Sequence, residues 1–535
     1  MRRTRLTGHD ADACQQLTRA TGARRHAPRG AEASFAVRAE RAWQRIIPVP
    51  FCFMGMGIFR VWTETLYANS QVNFPALVLP FSVPIAGADA YSLFDLVAAL
   101  ALTLLALGAR RVAPLYRHPV AIVATVVCMV GAAMANFGSI LVPAAAEVLF
   151  WPSVFGGGVG VALILMLWSE FFGCLSPLRI AVYYSASVVV GCLVLWIFKG
   201  LSFWWLWAGT CVVPIVSLMC LWRAYATLPP DAYPPAYQGE FSFPWKPVAV
   251  VGAYSFVYGL RGGVFSGYLG MNSGIGAFLG ALLVYALICA GVQRGRPETA
   301  GDDTAIATTA FDFSLLWKIA MPLMLASLVP LEHVVPGWSF VADTCALASY
   351  TVLLVLIMSI LGNLSYRYGV CALWIFAIER AVRLLASQAG RVIGNSFGDA
   401  VSVGWHALLV LVMAAMLVVV ALLFFSEKNV SSSDWGVVLK RPADGSRNDA
   451  AARALERNRL GVKCEELGRQ RGLTPREEEV MLLLAQRRTL GEISRELYVA
   501  PNTVKTHSKH VYQKLGIHSR AELLDMLGVH AEPRQ

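Results

Sequence analysis

Residues 499–515 read VAPNTVKTHSKHVYQKL, and the spacing of apolar side chains in this stretch decides how the end of the chain folds. Val504, Val511 and Leu515 recur at helical intervals on one face, the pattern of an amphipathic helix. Pro501 suits a first helical turn, and Gly516 is placed to stop the helix after Leu515. With the apolar face turned to a core, Lys505, Thr506, Lys509 and Asn502 point outward. Lysines one turn apart on an exposed face suit base edges or phosphates along a nucleic-acid groove.

Working back from this helix, helix starts follow in quick succession. Thr474-x-x-Glu477, Thr489-x-x-Glu492 and Ser519-x-x-Glu522 each place a hydroxyl and a carboxylate to satisfy orphan N–H groups reciprocally. Val480, Leu483 and Leu484 form one apolar stripe, Ile493 and Leu497 another, and Leu523, Leu524 and Leu527 a last one. Four short helices are therefore expected, the second and third with helix-turn-helix proportions. The acidic run REEE at 476–479 balances the charge of the unit as a whole. Positive charge is concentrated on the third helix and on Arg487, Arg488 and Arg495.

LTPREEEVMLLLA (473–485) and EISRELYVAPNTVKTHSKHVYQKLGIHSRAELL (492–524) together resemble the DNA-binding domain of LuxR-type transcription regulators. The resemblance implies that the third helix enters the major groove of double-stranded DNA, with Lys505, Thr506 and Lys509 facing bases. It implies that Thr503, His507 and Lys514 touch the sugar–phosphate backbone or pack, and that two copies bind as a homodimer. Two positions depart from the family pattern. Arg487 stands where a glycine is common between the first two helices, so that loop must avoid φ > 0 or carry strain. Ala500 stands where a capping serine is common, a loss of about 1 kcal/mol.

Upstream of this unit the chemistry changes. Of the 535 residues 56% are hydrophobic and only 15% charged, against about 25% charged in soluble globular proteins. Apolar runs long enough to cross a bilayer fall at 46–68, 91–109, 119–137, 148–170, 178–198 and 203–223. A second set falls at 247–269, 274–292, 316–333, 338–361, 368–390 and 402–425. The Pro-rich loop ATLPPDAYPPAYQGEFSFPW separates them, so two repeated halves of six spans are expected. The fold class is all-α: a polytopic membrane helix bundle over residues 46–425, then a four-helix helix-turn-helix domain over 470–533. Between them, 426–469 reads as a polar linker with a charged helix, either a solvated spacer or a surface for a partner copy. Residues 1–45 hold ten arginines against four acids, a basic and disordered tail without the apolar core of a secretory signal.

Lys and Arg in short loops orient the bundle. With the amino terminus inside, inner loops carry Arg110, Arg111, Arg117, Arg179, Arg223, Lys246, Arg294, Arg296, Lys318 and Arg367. Outer loops carry little beyond Lys199 and Arg391, an asymmetry of about five to one. Both termini are then cytoplasmic and the lipid partner is the inner (cytoplasmic) membrane. This arrangement resembles the major facilitator superfamily in topology. The acidic residue of that superfamily's Gly-x-x-x-Asp-Arg-x-Gly loop is absent from GARRVAPLYRH (108–118) and from GVQRGR (291–296), which separates the fold from transport gating.

Ionisable residues inside spans mark cavities or ion pairs. Arg60 and Arg261 each lie about fourteen residues into the first span of their half, related positions under a two-fold repeat. Glu64 follows Arg60 by one turn, and Glu379 precedes Arg383 by one turn beside Arg380. Two readings stand: a central pocket with an arginine surplus for a small anionic ligand such as a carboxylate, or i,i+4 pairs that hold helices together. The glycine clusters at 156–162 and 269–280 read as close helix packing, and Trp204, Trp205 and Trp207 as an interfacial belt. The eleven cysteines have no metal-ligand spacing. No HExxH, GxxxxGK[ST] or nucleophile-elbow pattern is present, so neither enzyme activity nor a cofactor is expected. The expected function is a membrane-bound one-component transcription regulator that senses a small molecule. The rival is a secondary transporter with a regulatory DNA-binding tail, and a third option is a constitutive DNA anchor.

Overall fold

In a computed structural model of the chain, the described residues are 51–67, 74, 90–228, 239–241, 243–265, 274–294, 313–329, 335, 337–398, 403–425, 439–442, 449–497, 499 and 501–528. They belong to one unit, Phe51–Gln535; the basic tail at 1–45 and Ala500 lie outside them.

Among the described residues, twelve helices precede the carboxy-terminal unit. They are α1 (Gly55–Leu66), α2 (Ala90–Val112), α3 (Pro119–Leu141), α4 (Ala146–Phe172), α5 (Pro177–Lys199) and α6 (Phe203–Ala226). The second set is α7 (Trp245–Val264), α8 (Ile275–Arg294), α9 (Ser314–Ser327), α10 (Trp338–Tyr368), α11 (Ala372–Gly398) and α12 (Val403–Phe425). Each expected span overlaps its own observed helix, with 46–50, 68, 266–269, 330–333 and 402 of the expected spans outside the described residues. α2 to α6 and α10 are long and apolar enough to cross a membrane, while α8, α9 and α12 carry shorter apolar runs. α1 has only 12 helical residues after a 3-10 turn at Phe51–Met54. α7 and α11 carry Lys246, Arg261, Glu379, Arg380 and Arg383 in their length, which lowers their hydropathy without removing them from the bundle.

The two halves repeat one another in their packing. In the first half α1 packs on α5 and α6, α4 on α2 and α3, and α3 on α6; in the second α7 packs on α11 and α12, α10 on α8 and α9, and α9 on α12. The halves meet through α2 on α11 and, equivalently, α5 on α8, flanked by α4 on α11 and α5 on α10. Glycines make the matching crossings possible. A methyl group at Gly57 would overlap the Ser187 carbonyl of α5, and one at Gly259 the Ser387 carbonyl of α11. Small residues at such crossings let backbones touch where apolar burial gives no drive between helices. In the described parts of the clusters at 156–162 and 269–280 the glycines pack: Gly160 abuts Met129 and Gly280 abuts Ala348, while 269–273 lie outside the described residues.

Leucines and valines on the outside of the bundle stay exposed, among them Leu104, Leu107, Val127, Leu411 and Leu422, with Trp204 and Trp205 at the start of α6. Exposed apolar surface on this scale is a liability in water and the ordinary state in lipid. The protein is a polytopic membrane protein.

Five helices follow: α13 (Asp449–Gln470), α14 (Pro475–Ala485), α15 (Leu490–Leu497), α16 (Pro501–Leu515) and α17 (Arg520–Met526). Their core holds Val480, Leu483, Leu484, Ile493, Leu497, Val504, Val511, Leu515, Leu523 and Leu527, with Leu460 and Cys464 of α13. α13 is therefore no solvated spacer: one side enters this core and Gly461 on another lies against Arg367 at the end of α10. A short antiparallel pair, β1 (Gly239–Phe241) with β2 (Leu439–Pro442), joins the central loop to the segment after α12.

Candidate nucleic-acid interface and its contact with the bundle

The scaffold beneath α16 is set by caps. Thr474 accepts from Glu477 N–H while the Glu477 carboxylate accepts from Thr474 N–H, a complete capping box. Thr489 and Glu492 repeat it at α15. At α17 Ser519 caps Glu522 N–H, but the Glu522 carboxylate reaches back one residue further, to His518 N–H. That backbone hydrogen bond holds the Glu522 carboxyl below its ordinary range. Burial works against ionisation of Glu477, yet hydrogen bonds from Lys514 and Thr474 outweigh it and hold this carboxyl low. Arg476 is buried and donates to the Leu497 carbonyl at 2.7 Å and to Glu479 at 2.7 Å, fixing α14 against α15. Arg487 takes φ 62°, so the loop between α14 and α15 does carry the strain foreseen for a non-glycine residue there.

α16 presents two faces. Val504, His507, Ser508, Val511 and Leu515 are buried; Asn502, Lys505 and Lys509 are exposed, and Thr506 is half-buried with its hydroxyl on the Asn502 carbonyl at 3.1 Å. Thr503 is also half-buried. His507 packs inward, and burial beside Arg476 lowers its pKa, favouring the neutral ring. Lys514 is occupied: its ammonium meets Glu477 at 2.7 Å and the Gly472 carbonyl at 3.1 Å. Arg495 on α15 is exposed, its Nε on the Gly491 carbonyl at 3.4 Å. The outward set is thus Asn502, Lys505, Thr506 and Lys509, with Arg495 beside it, while His507 and Lys514 hold the helix in place.

Residues 471–527 match the family described as bacterial regulatory proteins, luxR family. The chain is 44% identical over 50 residues to the spore germination protein GerE of Bacillus subtilis, covering 9% of this chain and 68% of GerE.

The chain belongs to the luxR family.

It is also 45% identical over 53 residues to a putative HTH-type transcriptional regulator of Mycobacterium tuberculosis, 10% of this chain and 6% of that protein's length. The bundle is similar in arrangement to the crystal structure of a Major Facilitator Superfamily transporter, FucP, in the outward conformation. That likeness has a TM-score of 0.44 at 14% identity, over 71% of this chain and 99% of that one. The luxR-family helix-turn-helix is a DNA-binding domain, and α16 is the second helix of its helix-turn-helix pair.

The luxR domain is seated on one end of the bundle. α10 has 31 residues, about 46 Å of helix, longer than the roughly 30 Å of hydrocarbon. Gly369, at φ 68°, stops the helix: its N–H donates to the Ser365 carbonyl and the Val370 N–H to the Leu364 carbonyl. The three residues before it clasp the domain: Tyr366 donates to Glu496, Arg367 pairs with Glu478, and Tyr368 donates to Glu465 at 2.7 Å. Asn458 donates to the Tyr368 carbonyl at 2.7 Å, and Arg179 at the start of α5 donates to the Arg495 carbonyl at 3.3 Å. Sequence reasoning missed these partners. Glu478 sat within an acidic run, and Arg367 entered only as a loop charge that sets orientation.

Within the bundle, the i,i+4 ion pairs are present: Arg60–Glu64 at 3.1 Å and Arg383–Glu379 at 3.1 Å. Arg261 pairs instead with Asp343 of α10 at 2.7 Å and donates to the Ser327 carbonyl at 3.2 Å. Asp343, an acid inside an apolar run, was the available signal for that partner. Between the halves, Gln388 of α11 donates to Asp95 of α2 at 2.5 Å. The five expected ligand residues are thus distributed over three separate pairs. Arg60, Arg380 and Arg383 nevertheless share one neighbour, Tyr184 of α5, within electrostatic reach of all three.

Proposed function

We propose that the protein is a membrane-bound one-component transcription regulator whose bundle holds or releases the luxR domain according to a small molecule bound within it. The observation that carries this reading is the clasp of Tyr366, Arg367 and Tyr368 on Glu496, Glu478 and Glu465. A domain merely tethered to a transporter has no need of a buried ion pair with it. The clasp also touches the part of the domain that DNA needs. In a helix-turn-helix the first helix crosses the sugar–phosphate backbone, and the carboxyl end of α15 is held by Tyr366 and Arg179. Docking and DNA engagement therefore compete for α15, and the docked form is the resting one.

A ligand shifts this balance only through its different affinity for the two arrangements. The symmetric meeting of α2 with α11 and α5 with α8 offers two halves that can re-seat against each other, and α10 ends in the clasp. Asn502, Lys505, Thr506 and Lys509, with Arg495, would contact operator DNA, two domains binding as a pair. Orientation follows the same logic. Arg179 and Arg367, both assigned to inner loops by charge, are among the residues that meet the DNA-binding domain, which favours this side facing the cytoplasm and the membrane being the inner one.

The two-half bundle is equally the architecture of a secondary transporter carrying a regulatory tail, and the two readings part in experiment. A chromosomal reporter controlled by the full chain should lose its response in Lys505→Ala with Lys509→Ala and gain output in Arg367→Gln. Solute uptake by vesicles holding the bundle alone, with reporter output indifferent to Arg367→Gln, would favour the transporter.

A further inference from the structure

We infer that Arg380 of α11 anchors a small monocarboxylate between the two halves of the bundle; this rests on the sensing reading above and names its ligand class.

The other arginines singled out in the bundle have carboxylate partners: Arg60 has Glu64, Arg261 has Asp343, and Arg383 has Glu379. Arg380 has none. Its side chain is buried, with the residue 4% exposed; Nη2 faces Met358 Sδ at 3.4 Å, and Nε has no hydrogen-bond partner. A thioether is a weak acceptor, so the Nε–Nη2 edge of this guanidinium is left almost without one. That edge carries two parallel N–H donors, the fork that matches the two oxygens of a carboxylate. A buried guanidinium in this condition is unfavourable until an anion arrives. Glu379, the nearest acid in sequence, spends Oε1 on Arg383 Nε at 3.1 Å.

Charge and surroundings narrow the class. Glu379 lies within electrostatic reach of both Arg380 and Arg383, so the three groups together carry one surplus positive charge; a monoanion neutralises it where a phosphate dianion would leave a surplus. Met358 lies against the fork, and Tyr184 of α5 and Tyr350 of α10 are within electrostatic reach of Arg380, so the surroundings suit an organic rather than an inorganic anion. The site also connects to the clasp. Met358 stands nine residues before Arg367 on α10, about 13 Å along the helix. A carboxylate on the fork displaces the Arg380–Met358 contact and frees α10 to shift against α11.

The test uses the full chain in nanodiscs with two probes, butyrate for a water-borne ligand and decanoate for one drawn from the membrane. Wild type should bind at least one of them saturably, and Arg380→Met should lose at least about tenfold in affinity. Removing the unpaired charge should also raise the ligand-free unfolding midpoint, by about 2 °C. Arg380→Lys, which keeps the charge without the fork, should lose affinity as well. Binding of decanoate alone supports the site with a membrane-derived acid. Failure of both probes on wild type, equal affinity in Arg380→Met, or a lower midpoint in that variant overturns the inference. The sensing reading is separable: butyrate or decanoate that binds without changing reporter output removes sensing and leaves the site. A reporter response that persists in Arg380→Met keeps sensing and removes the site.

Discussion

Replacing Arg367 by glutamine should undock the luxR domain. The Arg367 side chain is 2% exposed and that of Glu478 15%, so the pair is shielded from solvent and the loss of one partner strands the other. Breaking a buried pair this way costs about 3–5 kcal/mol; the partial exposure of Glu478 argues for the lower end. At 1.4 kcal/mol per decade, 3 kcal/mol shifts the docked–undocked equilibrium about a hundredfold. Hydrogen exchange of the full chain in nanodiscs reads this without knowledge of an operator. Amides of α13 and of the last turn of α10 should exchange faster in Arg367→Gln, while those of α4 and α5 stay as in wild type. Exchanging the charges, Arg367→Glu with Glu478→Arg, should recover much of the protection. If α13 exchanges at the wild-type rate in Arg367→Gln, the ion pair does not hold the domain and the competition for α15 fails with it.

Other outcomes follow from the same geometry. Lys505→Ala and Lys509→Ala should each weaken operator binding by about 1–3 kcal/mol where they read bases, or flatten the salt dependence by about one unit of slope where they meet phosphate. Lys514→Ala should instead lower the melting temperature of the luxR domain, because its ammonium is spent on Glu477 and Gly472. Arg487→Gly should stabilise the domain by about 1 kcal/mol in thermal unfolding, since glycine adopts φ 62° without Cβ strain. His507 gives a pH dependence of definite sign. Its folded-state pKa lies below the ordinary 6.5, so the unfolded chain binds the proton first as pH falls. Stability present above pH 6.5 is therefore lost progressively below it, through the lowered folded value, and His507→Gln should flatten the melting curve between pH 7 and 5.

Much of the fold was legible because lipid imposes a simple rule: long apolar runs become helices. α4 and α5 lie within two residues of their expected limits. The faces of α16 were legible for the same reason at smaller scale, since Val504, Val511 and Leu515 leave only one way to turn Lys505 and Lys509. Long-range pairing was not. Asp343 stood out as an acid inside an apolar run, but which basic residue it meets is a property of the assembled bundle, so its pairing with Arg261 could not be read from the chain. Glu477, Glu478 and Glu479 look alike in the chain, yet each successive residue turns about 100° around the helix. One therefore caps α14, one meets Arg367, and one meets Arg476. α13 read as a spacer because its apolar residues are few; Leu460, Gly461 and Cys464 act through position.

Chromosome-wide crosslinking of the full-length, membrane-embedded protein tests whether the domain reads DNA from the bilayer under control of the clasp. The expected result is discrete occupied sites in wild type, more heavily occupied in Arg367→Gln and lost in Lys505→Ala with Lys509→Ala. Sites that survive the lysine replacements, or occupancy that ignores Arg367→Gln, would contradict it.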